Sequence, residues 1–278
     1  MTRGSIAVLT VSYYSGEHLA RLIKSLKGES AVRILVANNA IGDELQEIRQ
    51  VGVEVVDMVG NIGYGGAINA LTPRVHDVDW YLIVNPDVEM DAGALGLLTT
   101  EGESDDAIGV VGPLIRSPDG AIYPSARRLP SLLHGIGHAL FAHIWPNNPW
   151  THSYLADRAD CTVRREAGWL SGSCILVRSS SFHAVGGFDE KFFMYFEDVD
   201  LCERIAAIGS KIVFAPAATV VHTGGHSTLK REVNRSMIRA HHRSAYKYLS
   251  SKYSGRSHAP LRVALRVSLA IRGRLVKA

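Results

Sequence analysis

The chain contains only three cysteines in 278 residues, Cys161, Cys174 and Cys202. Their number is odd, their spacing is scattered, and two of them sit in apolar runs. This argues against disulfides or a zinc site and for reduced, buried thiols in a cytosolic protein. Long apolar runs are missing too. No window approaches the roughly 18 uninterrupted apolar residues of a membrane span. The run Ile6 to Val11 is ended by Ser12 to Glu17, too early for the core of a signal peptide. There is no G-x-x-x-x-G-K-[ST] phosphate loop. Gly63-Tyr64-Gly65-Gly66 fails as a dinucleotide loop, because Ile68 stands where the third glycine belongs. Acids are missing from one end: residues 230–278 hold 13 of the 30 Lys and Arg but only Glu232 of the 27 Asp and Glu. A tail of +12 on a body of −9 seeks something anionic. With only Tyr246, Tyr248 and Tyr253 to stack on bases, that partner is a membrane surface and not nucleic acid.

Hydrophobic content of 46% and charged content of 21% are those of a folded globular chain. Ser5 to Tyr13, Val32 to Ala37, Val53 to Met58 and Trp80 to Val84 read as strands, the first two buried on both faces. Between the first two, Leu19, Leu22, Ile23 and Leu26 recur at helical spacing behind Ser15, a capping residue. This alternation predicts βαβ units and a mainly parallel sheet of the α/β class. Past Asp91, a second helix cap, the regularity fades. Ile108 to Ile115 and Ala121 to Ser125 flank a turn, and residues 127–165 read as an irregular insertion over the site. Lys211 to Ala215 and Thr219 to His222 close the sheet. In the insertion, His134 and His138 have a metal-like spacing but lack the Glu of H-E-x-x-H, and they read as an insertion helix.

Chemistry concentrates in two stretches. Phe192 to Phe196, mostly aromatic, run into Glu197, Asp198 and Asp200 at the start of a buried helix. The helix dipole favours carboxylates there, while the aromatic wall raises their pKa toward that of a general base. Arg204, four residues beyond Asp200, marks that acid for a surface ion pair. Asn85-Pro86-Asp87 follows a buried strand, either as a plain turn or as a ligand of Mg²⁺ or Mn²⁺ bridging to a diphosphate. Two like charges about 5 Å apart repel by roughly 3 kcal/mol at an effective dielectric near 20. Asp87, the Glu197/Asp198 pair and a diphosphate therefore need a cation if they share a pocket. His222, at a strand end, is the further candidate metal ligand.

These pieces, in order, resemble the family 2 glycosyltransferases of GT-A fold over about residues 5–250. The resemblance rests on Thr10-Val11-Ser12-Tyr13, Asn38-Asn39 through Asp43, Asn61 through Asn69, Asn85-Pro86-Asp87, Trp169 through Ser173, Gly186 through Phe193, Glu197-Asp198 and His222. Within the family the chain is most similar to rhamnosyltransferases acting on polyprenyl-diphospho-N-acetylglucosamine in cell-wall linker synthesis. The resemblance implies a Rossmann-like domain over 1–229, with an acceptor-side insertion at 127–165 and a basic helical segment at 230–278. It implies inverting transfer from dTDP-L-rhamnose to a lipid-linked acceptor, with Asp198 as base beside Glu197 and a divalent cation on Asp87. Thr10, Ser12, Tyr13, Asn38, Asn61, Gly63, Asn85 and Asp87 fall where such enzymes hold the donor. Trp169, Ser171, Gly172 and Ser173 would line the acceptor or sugar pocket. Two departures stand out: Asn38-Asn39 replaces the family's Asp-Asn, and Asn85-x-Asp87 replaces its D-x-D. A nucleotidyltransferase is the rival class, but Tyr14 to His18 carry no Lys or Arg; a non-catalytic sugar-nucleotide module would not require both Asp87 and Asp198. Leu261 to Lys277 forms a helix with Arg262, Arg266, Arg274 and Lys277 near one side. It suits peripheral attachment to the inner face of the plasma membrane, the alternative being packing on its own body or in a homodimer.

Overall fold

A computed structural model describes residues 5–29, 32–130, 161–224 and 231–275. The middle of the insertion, with His134 and His138, and the last three residues, with Lys277, lie outside the described residues. The chain opens with β1 (Ile6–Ser12), α1 (Gly16–Ser25), β2 (Val32–Asn38), α2 (Gln46–Gln50), β3 (Glu54–Asp57), α3 (Tyr64–Leu71) and β4 (Trp80–Val84). It continues with β5 (Val88–Met90), α4 (Ala94–Glu103), β6 (Ile108–Arg116), β7 (Ile122–Tyr123) and β8 (Ala126–Arg127). Then come β9 (Arg165–Glu166), β10 (Trp169–Leu170), β11 (Cys174–Arg178), α5 (Ser179–Ala184), α6 (Glu197–Ala207) and β12 (Lys211–His222). Two helices end the chain, α7 (Arg231–Lys252) and α8 (Ala259–Leu275).

The main sheet runs β3-β2-β1-β4-β11-β6-β12-β5. β3, β2, β1 and β4 are mutually parallel, as are β6 and β12; β11 is antiparallel to β4 and β6, and β5 to β12. Burial on both faces explains why the central strands read as unbroken apolar runs. Ile6 and Val8 of β1 face Leu19, Leu22 and Leu98 on one side. Ala7, Leu9 and Val11 face Ile68, Phe182 and Leu201 on the other. The result is a mixed, mostly parallel sheet between α1/α4 and α3/α5/α6, and it sends the loops after β1, β2, β3 and β4 out along one edge.

Several local expectations are corrected. β12 is one strand through Pro216, where two were expected; the ladder absorbs the proline by a register shift between Ala215 and Thr219. Ser15 precedes α1 but makes no side-chain cap, its hydroxyl donating instead to the Tyr13 carbonyl. Asp91 is drawn off its helix by Arg116 at 3.2 Å and by the Thr219 hydroxyl. Arg262, expected on the free basic side of the tail helix, is spent on the Tyr253 and Gly255 carbonyls at 2.7 and 2.8 Å, closing the α7–α8 turn.

The tail begins as part of the body. In α7, Ser244, Ala245 and Tyr248 are buried. The Ser244 hydroxyl donates to the Met194 carbonyl (2.8 Å), and the Tyr248 hydroxyl to Glu203 (2.5 Å), which Lys252 also meets at 2.7 Å. His241 lies edge-on to Tyr195 and Phe196, each at 5.4 Å. The packed face of α7 thus covers the loop that leads into α6, and Arg239 and Arg243 are exposed.

Candidate active site

Five segments meet at the exit edge of the sheet, tied together by backbone contacts. The Asn85 amide, just after β4, donates to the Ser173 carbonyl at 2.9 Å. In the same turn the Gly172 amide donates to Asp198 Oδ2 at 2.9 Å, and the Gly172 carbonyl accepts the Tyr64 hydroxyl at 3.2 Å. The Asp87 carbonyl accepts the Thr223 amide, while its carboxylate meets His222 Nε2 at 3.1 Å. Gly172 is closely packed: a Cβ there would lie 3.0 Å from that of Asp198, so a larger residue would press on the acid. At Gly63 φ is +84° and a Cβ would come within 2.5 Å of the Phe193 carbonyl oxygen, a position closed to other residues.

The two acids at the head of α6 occupy different environments. Asp198 keeps part of its surface and accepts two amides, from Gly172 and Val199, both at 2.9 Å. Burial raises its pKa, and those two donors oppose the rise. Glu197 is 8% exposed, and its Oε2 is buried without a hydrogen-bond partner. Burial, then the Asp198 charge, push its carboxyl up to about 8. Asp200 instead pairs with Arg204 at 2.7 Å. At Asp87, burial alone would raise the pKa; the hydrogen bond and charge of His222 outweigh it and hold the carboxyl below its usual range. Tyr64, which motif reading passed over, is raised well above the ordinary phenol range by burial and by the charges of Glu197, Asp198 and Asp87. One side chain thus feels all three carboxylates.

A stability prediction follows from Glu197. Its ordinary value is 4.5, against about 8 in the fold. Between those values the folded chain holds a proton that the unfolded chain has released, so stability declines as pH rises through the window. Glu197→Gln removes that titration. Its melting temperature should match wild type near pH 5 and exceed it near pH 9. Parallel melting curves across the range would show that Glu197 is not held protonated by the fold.

The donor-side residues divide. Thr10 and Ser12 are 0% exposed, their hydroxyls without partners. Both lie under the surface, and Tyr13, 54% exposed, is the group that β1 presents. Asn38 ends β2 and donates through Nδ2 to the Asp43 carbonyl (2.5 Å) and to Asp57 (2.9 Å). Arg49 grips Asp57 with one Nη2 at 2.7 Å from both oxygens. Asn38, Asp43, Arg49 and Asp57 line an open cleft of about 550 Å³. Asn39, a residue outside the expected set, is the organiser of the next loop: it donates to Asn61 Oδ1 at 3.0 Å and to the Gly63 carbonyl at 3.2 Å, and accepts the Ile62 amide. Asn61 Oδ1 also accepts the Gly63 amide. On the acceptor side the Ser171 and Ser173 hydroxyls are buried and bond to each other at 2.9 Å. Trp169 is half-buried, its indole donating to the Arg128 carbonyl.

No family model matches the chain. Among curated proteins it is 41% identical, over an alignment of 286 residues, to N-acetylglucosaminyl-diphospho-decaprenol L-rhamnosyltransferase of Mycobacterium tuberculosis, covering 98% of this chain and 92% of the relative. It is 27% identical over 257 residues to rhamnosyltransferase WbbL of Escherichia coli, covering 89% and 93%. Among solved structures, the mannosyltransferase PcManGT of Pyrobaculum calidifontis, in complex with GDP-Man and Mn²⁺, superposes with a TM-score of 0.63 at 12% identity, over 99% of this chain and 71% of that one. GalNAc-T7 with UDP, GalNAc and Mn²⁺ gives 0.58 at 13% identity, over 80% of this chain and 44% of that one. The last two show the fold alone. At 41% identity along 98% of its length, and with that fold, the chain belongs to the GT-A family of glycosyltransferases that includes the mycobacterial rhamnosyltransferase.

Proposed function

We propose that the protein is an inverting rhamnosyltransferase that moves L-rhamnose from dTDP-L-rhamnose to polyprenyl-diphospho-N-acetylglucosamine. The observation that carries the reading is the convergence of Asp198 and Tyr64 on the 171–173 turn, to which the Asn85 amide also ties the segment bearing the Asp87–His222 pair, in a chain 41% identical to an enzyme whose name states that sugar and acceptor. Asp198 takes the proton of the acceptor hydroxyl as its oxygen bonds to the anomeric carbon, and the bond from that carbon to the diphosphate oxygen breaks with its electron pair. Two amide donors hold the Asp198 carboxylate in place for this, and Glu197 keeps its own proton. The donor lies along the loops after β1 to β4, past Tyr13, Asn38 and Asn61. The catalytic and nucleotide-sugar part is 1–229, with 127–165 on the acceptor side.

The Asp87 carboxylate and the His222 imidazole form an oxygen and nitrogen pair that fits Mg²⁺ or Mn²⁺. Among the described residues no third His, Cys, Asp or Glu joins them, which leaves the remaining positions to diphosphate oxygens and water. When bound there, the cation supplies charge neutralisation to the departing nucleoside diphosphate. Release of dTDP from dTDP-rhamnose is expected to require a polyprenyl-diphospho-N-acetylglucosamine acceptor. It should stop in chelator and return with Mg²⁺ or Mn²⁺, and Asp87→Ala should raise the donor KM. Release indifferent to acceptor, or full turnover in chelator, overturns the corresponding half of the reading.

Peripheral attachment to the cytoplasmic leaflet would bring the enzyme to a lipid-linked acceptor. No described helix is long and apolar enough to cross a membrane. The part of the tail that suits a surface is α8, where Val263, Arg266 and Val267 are exposed. Intact chain is expected to co-sediment with anionic vesicles at low salt and a chain ending at Ser257 much less. Equal binding by the two removes α8 from membrane attachment.

A further inference from the structure

We propose that Arg127 is a diphosphate-binding residue of this site, placed beside the base by the β8–β10 ribbon. Arg127 pairs directly with Trp169 across that ribbon, and the Gly168 amide donates to its carbonyl at 2.9 Å. Three residues beyond Trp169, the same segment delivers the Gly172 amide to Asp198. The arginine and the base therefore sit on one continuous piece of backbone geometry.

The side chain is fixed without being neutralised. Its guanidinium carbon lies 5.3 Å from the Tyr123 ring centroid and 5.4 Å from that of Trp169. Its Nε donates to the Pro124 carbonyl at 2.8 Å. That holds the planar fork in one orientation and, among the described residues, leaves the N–H groups of both Nη atoms to spare. Among the described residues no carboxylate lies within ion-pair distance of it. Its neighbours differ: Arg164 meets Glu101 at 2.7 Å, Arg116 meets Asp91 at 3.2 Å and Arg204 meets Asp200 at 2.7 Å. Arg165 gives Nη2 to the Ala126 carbonyl at 2.7 Å. A guanidinium held over two aromatic rings, with its fork open, matches the paired oxygens of a phosphate group. Its charge also lowers the pKa of Asp198, which puts it within electrostatic reach of the reacting groups. A diphosphate brought near the Asp198 carboxylate would meet charge repulsion, which a guanidinium beside it offsets.

The chemistry is that of a diphosphate, and the reaction proposed above, on which this inference rests, offers two: the donor's and the lipid-linked acceptor's. The test uses the full chain, Arg127→Gln and Arg127→Lys. Calorimetric binding of inorganic pyrophosphate is the first arm and needs no turnover; about a 10- to 100-fold weaker Kd is expected for Arg127→Gln. Arg127→Lys, which keeps the charge and loses the fork, should recover part of it, a rescue that a purely structural role through the Pro124 carbonyl would not show. The second arm compares the dTDP Kd with the acceptor KM, and the constant that moves identifies the source. Pyrophosphate binding equal in wild type and Arg127→Gln, or absent from both, overturns the proposal. Pyrophosphate binding lost in Arg127→Gln, in a wild type that transfers no rhamnose, overturns the rhamnosyltransferase reading and leaves the anion site standing.

Discussion

Asp198→Asn is expected to lower transfer by about 10²- to 10⁴-fold while leaving donor affinity within a few-fold of wild type. A general base acts on the transition state and adds little to ground-state binding. The choice of Asp198 over Glu197 rests on their surroundings. Both Asp198 oxygens accept an amide, from Gly172 and from Val199, which favours the charged, proton-accepting form. Glu197 has one oxygen without a partner and a pKa pushed up to about 8, so near neutrality it holds a proton. The asparagine has one acceptor where two amides need one each. Its NH₂ group would face a donor, at a local cost of about 1–3 kcal/mol. Stability must therefore be measured with activity, and a folded variant that binds dTDP normally isolates the chemical loss. Glu197→Gln should stay within about tenfold of wild type, since it removes a titration and not the base. An inactive Glu197→Gln beside an active Asp198→Asn would reverse the assignment.

The residues that make this argument differ in how far the linear order announces them. Glu197 and Asp198 stand out because five mostly aromatic residues precede them, and the burial of Glu197 agrees with that pattern. The parallel half of the sheet is legible because β1, β2 and β4 are covered on both faces, and continuous apolar runs have no other stable home. The Asp87–His222 contact joins residues 135 apart, and only their shared placement at strand ends hints at it. Thr10 and Ser12 fall at the family's donor positions by motif, and motif position does not reveal that both are 0% exposed in a strand covered on both faces. Asn39 and Tyr64 lie inside recognisable motifs, but their roles there are not announced, and Arg127 lies outside every motif. Each acquires its role from a partner 22 to 108 positions away: Gly172 for Tyr64, Asn61 for Asn39, Trp169 for Arg127. The tail shows the same limit. Its charge balance speaks of an anionic surface, but charge does not reveal that the packed face of α7 is already taken up by the body.

That packing supports the second large effect. Tyr195 and Phe196, immediately before the two acids, both adopt left-handed backbone, with φ of +67° and +68°. Neither is glycine, and each such residue costs of order 1–3 kcal/mol unless its surroundings hold it. α7 supplies those surroundings: Tyr248 lies 5.5 Å from the Phe196 ring, His241 contacts both rings, and Ser244 ties down the Met194 carbonyl. Tyr248 is 2% exposed, so Tyr248→Ala should cost about 3 kcal/mol of stability through the cavity it opens. The larger consequence concerns aim. With its clamp loosened the 194–196 segment can relax, turning the head of α6 and moving Asp198 away from the amide of Gly172. Displacements of about 1 Å at a reacting group can cost roughly 10²-fold in rate. Tyr248→Ala is therefore expected to lose about two orders of magnitude in kcat, with the dTDP Kd nearly unchanged, because the group displaced is the base and not a donor ligand. Tyr248→Phe keeps the ring on Phe196 and gives up only the bond to Glu203, which retains Lys252 at 2.7 Å; its kcat should stay near wild type. If Tyr248→Ala, assayed below its melting temperature, turns over at the wild-type rate, the strained loop does not depend on α7 for its position.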